Sequence, residues 1–153
     1  MSFDLENLSG WDTGDLRRFL ERGFRAYGFP AEAIRRYKIV AVAAPQRSRG
    51  CAEVGGRGMA IAMASPSHFS LRRLARLFEH EAAHLAGYEH EDMPHRLLYS
   101  LGGVPDWAQG TRLRYHGRAP NQMDRLSLGY KPRDRRAHQQ RWSLSCPNGR
   151  CGG

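Results

Sequence analysis

Residues 80–90 read His-Glu-Ala-Ala-His-Leu-Ala-Gly-Tyr-Glu-His. Two histidines four apart on a helix project from one face, because positions i and i+4 are stacked neighbours. His80 and His84 therefore demand a helix and set the direction it must face. Gly87 can take the left-handed backbone that ends a helix and turns the chain sharply. His90 can then come back to the same point from outside the helix. Three converging imidazoles suit a Zn²⁺ ion, which in catalytic sites takes three protein ligands at about 2.0–2.1 Å and keeps a fourth position open. Glu81, next to the first histidine, is placed to take a proton from a water held there.

The full pattern, H-E-x-x-H-x-x-G-x-x-H over His80, Glu81, His84, Gly87 and His90, resembles that of the metzincin clan of zinc-dependent endopeptidases. The resemblance covers residues 80–90 of a 153-residue chain. It implies a small single-domain α+β fold of zincin type, with helices packed on a short mixed sheet and the active-site helix at about 70–86. It also implies a zinc metallopeptidase that acts on a peptide or protein substrate, with Glu81 as general base. Metzincins carry a methionine in a tight turn under the metal. Met123, in Asn121-Gln122-Met123-Asp124, is the preferred counterpart and Met93 the other candidate. Tyr130 would be a nearby phenol that stabilises the oxyanion. By the same resemblance Met59–Ala64 would be the edge strand along which a substrate lies, its alanine face leaving room near the metal. An ordinary internal strand is the other reading of that stretch.

Two rival readings share these residues. The three histidines, with Leu85, Gly87, Tyr88 and Glu91-Asp92, also resemble the H-x₃-H-x₅-H segment of the bacterial endoribonucleases that mature ribosomal RNA. That family generally has a small residue where this chain has Glu81, and a peptidase needs the carboxylate. The third reading is a nucleic-acid-binding module with a structural zinc, for which Cys146 and Cys151 bracket Pro147-Asn148-Gly149-Arg150. Structural zinc sites are usually closed and cysteine-rich, whereas three histidines and a glutamate leave a position open. Cys51 and His138 could complete a site with the two late cysteines, but their spacing does not demand it. Free thiols or a loop disulfide are simpler.

A chain of 153 residues is expected to form one domain. Its apolar content of 41% is that of a globular protein, and no apolar run reaches membrane-spanning length. The start, Met1 to Glu6, is acidic and lacks the pattern of a secretory signal. A cytoplasmic monomer with no membrane partner is the expectation. The net charge of +9 points to a polyanion or an acidic substrate. All of the 24 basic residues except Lys38 and Lys131 are arginine, a bias that genomic base composition can produce. They are spread along the chain apart from Lys131, Arg133, Arg135, Arg136 and Arg141. Residues 131–153 therefore read as a basic tail able to give weak nucleic-acid association, after a catalytic domain over 1–130.

Asp12 or Thr13 can cap a helix whose apolar face is Leu16, Phe19, Leu20, Phe24 and Tyr27. Ala31–Arg36 adds a helical turn. Tyr37–Ala44 is β-rich and apolar enough for a strand buried on both faces. Residues 45–58 read as a loop, with a short strand around Ala52–Val54. Met59–Ala64 alternates large residues with alanine, as a strand does. Ser67 or Ser70 then caps the helix at 70–86, where Leu71, Leu74, Phe78, Ala82 and Leu85 form one stripe. His80 and His84 lie opposite that stripe. Asp92 and Pro94 open a short helix stopped by Gly102-Gly103, and Arg112–Tyr115 could be a strand.

Overall fold

The structure is a computed structural model that describes residues 2–117. Four strands form one sheet: β1 (Asp4–Asn7), β2 (Lys38–Ala44), β3 (Arg49–Ala52) and β4 (Gly58–Ala64), in the order β1-β2-β4-β3. The pairs β1–β2 and β2–β4 are parallel, and β3 runs antiparallel to β4. Helix α1 (Thr13–Ala26) and the single turn α2 (Ala31–Ile34) connect β1 to β2, and helix α3 (Leu71–Leu85) follows β4. A 3₁₀ turn at His90–Asp92, the short α4 (His95–Leu98) and a second 3₁₀ turn at Asp106–Ala108 follow. The result is the small α+β domain that the sequence implies. Among the described residues no helix is long and apolar enough to cross a membrane.

The two faces of the sheet are divided by the period-two alternation of β2 and β4. Ile39, Ala41, Met59, Ile61 and Met63 pack against α1 and α3, where Leu16, Phe19, Leu20, Phe24, Leu74 and Phe78 meet them in the main core. Val40, Val42, Ala44, Ala60 and Ala62 form a second buried cluster on the opposite face, with Cys51 against it as a free thiol. The two expectations that the resemblance implied for Met59–Ala64 are thereby overturned, and its other reading, an ordinary internal strand, holds. The strand is internal, hydrogen-bonded on both sides, and β3 is the edge beside α3. Its alanines point away from α3, because the bulkier residues are the ones that fill the space under the helices.

Strand β1 has no counterpart in the sequence reading. Asp-Leu-Glu-Asn offers one apolar residue and no β-branched one, so local preference is silent. The strand exists because β2 presents a parallel edge to it, with Leu5 opposite Ile39. The expected strand at Arg112–Tyr115 shrinks to one bridge, Trp11 to Tyr115.

That bridge belongs to a clasp joining the two ends of the described chain. Asp12 N donates to Arg114 O at 2.7 Å, and His116 N donates to Gly10 O at 2.8 Å. Arg114 reaches the Asp15 carboxylate through its backbone N at 3.0 Å and its Nε at 2.9 Å, and the His116 ring meets Asp12. Asp12 is also the N-cap of α1, accepting from Asp15 N at 2.8 Å.

α1 and α3 approach closely at Gly23, where a Cβ would overlap the ring of fully buried Phe78. Alanine is intrinsically better than glycine inside a helix by about 1 kcal/mol. Overpacking a core that cannot yield costs about 1–3 kcal/mol more than no change. Gly23→Ala is therefore expected to be net destabilising, seen as a lower urea midpoint. A raised midpoint would show that Phe78 moves aside freely.

A buried carboxylate, Glu79, ties the back of α3 to everything around it. It meets the Tyr27 hydroxyl at the end of α1, Arg76 Nη1 at 2.6 Å and Trp107 Nε1 at 3.1 Å, with Arg96 Nη1 at 3.9 Å. Burial and the neighbouring carboxylate push the Tyr27 phenol up from its usual range, so it stays a neutral donor. The signal for Glu79 was in the sequence: an acid three residues before Ala82 and four after Ala75 stands on the buried side of the helix.

Candidate metal centre

Helix α3 starts at Ser70, whose hydroxyl accepts from Arg73 N at 3.3 Å. It ends at Gly87, which has φ +101°. Gly87 N donates to His84 O at 3.0 Å and Tyr88 N to Ala83 O at 3.0 Å, the paired bonds of a Schellman cap. The turn sends the chain back along the helix, so that the 3₁₀ turn at His90–Asp92 faces the last two turns of α3. The glycine is needed because a side chain at that φ would be strained.

Three ring nitrogens converge there. His84 Nε2 lies 3.2 Å from His80 Nε2 and 3.1 Å from His90 Nε2, and His80 Nε2 lies 3.2 Å from His90 Nε2. Tetrahedral ligands about 2.0–2.1 Å from one ion are themselves about 3.3–3.4 Å apart, so the triangle fits such an ion closely. The far side of two rings is also fixed. His84 Nδ1 donates to Tyr88 O at 2.8 Å and His80 Nδ1 to Leu97 O at 3.1 Å. A carbonyl can only accept, so each Nδ1 carries the proton and each Nε2 presents a lone pair to the centre. Burial lowers the pKa of both His80 and His84 and favours that neutral form. Lone pairs facing one another at this spacing repel unless a cation lies between them. The donor set fits a metal ion.

Glu81 is 3% exposed, and no hydrogen bond from a described residue reaches its carboxyl. Burial alone pushes that carboxyl up to about 7. It lines an open cleft of about 650 Å³ with His80, His84 and His90, whose opposite wall is the edge strand β3. Gly50 of β3 makes room for it: a Cβ there would stand 2.9 Å from Glu81 Cγ and 3.1 Å from its Oε2. Gly50 escaped the sequence reading, which saw it only as one of several loop glycines. Its role depends on β3 passing over α3, a contact between residues far apart in sequence.

The other histidines of the described region are engaged elsewhere. His68 bonds to Ser65 and Ser67, His95 stacks on Tyr99, and His116 meets Asp12. Met93 is buried against Ala83 and Leu97. Met123, Tyr130, His138, Cys146, Cys151 and the 131–153 tail lie outside the described residues. Compared with protein-family models, curated proteins and solved structures, the chain matches none.

Proposed function

We propose that the chain is a zinc-dependent peptidase whose metal is held by His80, His84 and His90. The observation that carries this reading is a buried glutamate, hydrogen-bonded by no described residue, sharing one cleft with the three converged imidazoles. His80, His84 and His90 would hold a zinc ion there, which would supply Lewis acidity and bring the pKa at which a water loses its proton down toward neutrality. Glu81 takes that proton on a carboxylate oxygen and later passes it to the leaving amine. No protein nucleophile is required. The outer edge of β3, unpaired among the described residues, is the strand edge that replaces Met59–Ala64 in this role and offers backbone N–H and C=O groups with which an extended peptide can pair.

Gly50 is a positioning residue in this scheme. Gly50→Ala is expected to retain zinc and to lose activity on the order of 10–100-fold, because a displacement near 1 Å at the reacting centre has effects of that size. Equal activity in metal-loaded wild type and variant would remove Gly50 from the mechanism.

The endoribonuclease reading has one observation in its favour, Arg49 on the cleft wall in a chain of net charge +9. Labelled protein and labelled RNA, each incubated with and without a chelator and with zinc restored, separate the two. Zinc-dependent proteolysis without RNA cleavage is the expected result. Chelator-sensitive RNA cleavage alone would reverse the assignment.

A further inference from the structure

Among the described residues two large hydrophobic side chains stand exposed, Tyr99 at 61% and Leu101 at 45%, and they flank Ser100, which lines the cleft. Single exposed apolar residues are ordinary on a protein surface. These two stand on either side of one cleft-lining residue, and the cleft wall next to it is partly apolar. Leu98 and Leu77, both half-buried, line the cleft beside His80 and Glu81.

The lip is held in place. Ser100 lies between the two side chains with φ +52°, a left-handed residue that ends α4. Leu101 N donates to Arg96 O at 3.0 Å to close the cap. Arg72 of α3 grips the turn from below, its Nη2 on Ser100 O at 2.8 Å and its Nε on Gly102 O at 2.7 Å. The Tyr99 ring rests on His95, with centroids 4.8 Å apart. The same α4 turn supplies Leu97 O, the carbonyl that orients His80. The exposed pair therefore keeps a fixed position relative to the converged imidazoles.

We propose that Tyr99 and Leu101 form a binding lip for an aliphatic or aromatic side chain of an extended polypeptide whose backbone lies in the cleft. The inference rests on the peptidase reading for its substrate class. The lip adds selectivity for apolar sequence, as found in unfolded chains. The driving force is removal of apolar area from water on both partners. A pre-ordered lip gives up little side-chain or loop entropy on binding.

The test uses the full chain as zinc-loaded Glu81→Gln protein, so that peptide is bound without turnover. Two labelled peptides of equal length, one with Leu and Phe at alternate positions and one with Ser and Asn there, are titrated by fluorescence anisotropy. The apolar peptide is expected to bind more tightly. In the Tyr99→Ser/Leu101→Ser variant that preference is expected to collapse by about tenfold or more, and Tyr99→Phe alone is expected to keep it. In the chain with Glu81 intact, the loss should fall on KM for the apolar peptide. An unchanged preference, equal losses for both peptides, or no binding of either would overturn the lip. So would a wild-type dimer that the double substitution converts to monomer, since the lip would then serve self-association. If the preference behaves as expected and the wild-type protein hydrolyses neither peptide, the lip stands and the peptidase reading falls.

Discussion

Glu81→Gln is expected to bind zinc as the wild type does and to hydrolyse peptide about 10²–10⁴-fold more slowly, the usual contribution of a general base. The amide nearly matches the carboxylate in shape and fits the same space beside Gly50, so the fold and the three imidazoles should be undisturbed. It has no lone pair basic enough to take a proton from water. Because no described residue hydrogen-bonds the Glu81 carboxyl, the substitution breaks no structural bond that could cause the loss indirectly. Metal content by mass spectrometry and turnover of a quenched peptide, measured on the same preparation, check both halves. Wild-type turnover in a zinc-loaded variant would remove Glu81 from the chemistry.

His84→Ala is expected to abolish stoichiometric zinc. His84 is the histidine of the three that the fold holds most firmly, 8% exposed, bonded through Nδ1 to Tyr88 O and touching both other imidazoles. Losing an outer-shell partner of a metal ligand typically weakens binding about 10–100-fold, so losing the ligand itself should exceed that. His68→Ala is the control, because His68 is exposed and bonded to Ser65 and Ser67. Full zinc in the His84 variant would mean that the metal, if bound, sits elsewhere. Loss in both variants would mean that the protein binds zinc only loosely at its surface.

The helices and the convergence of the three histidines were legible because each follows from local rules. The stripe of Leu74, Phe78, Ala82 and Leu85 is buried as read, and Asp12 and Ser70 cap where capping side chains were expected. The i, i+4 spacing and Gly87 were enough to bring His80, His84 and His90 together. What was not legible depends on which strands become neighbours. β1 carries almost no strand signal and is recruited by β2. The order β2-β4-β3 turned an expected edge into an interior strand, since nothing in the alternation of Met59–Ala64 tells how many sides are paired. Gly50 and Glu79 matter through contacts between distant segments, and only the sequence position of Glu79 on an apolar face hinted at it.

The clasp between residues 10–15 and 114–116 has a consequence for folding order. Arg114 and Asp15 are 99 residues apart, and the segment they enclose contains β2, β3, β4, α3 and the three imidazoles. Closing so long a loop early would sacrifice chain entropy before other contacts compensate. The enclosed sheet and helices should therefore assemble first, and the clasp should close last. In the native protein it should likewise open as a small unit without the rest. The amides of Asp12 and His116 should exchange hydrogen well before those of β2 and β4. Acid should widen the gap: the hydrogen bond from Arg114 holds the Asp15 carboxyl well below the usual carboxylate range, so its contribution is complete above that range and is lost as pH falls toward the folded-state pKa. Exchange below the usual carboxylate range would then open the clasp while the three imidazoles stay enclosed.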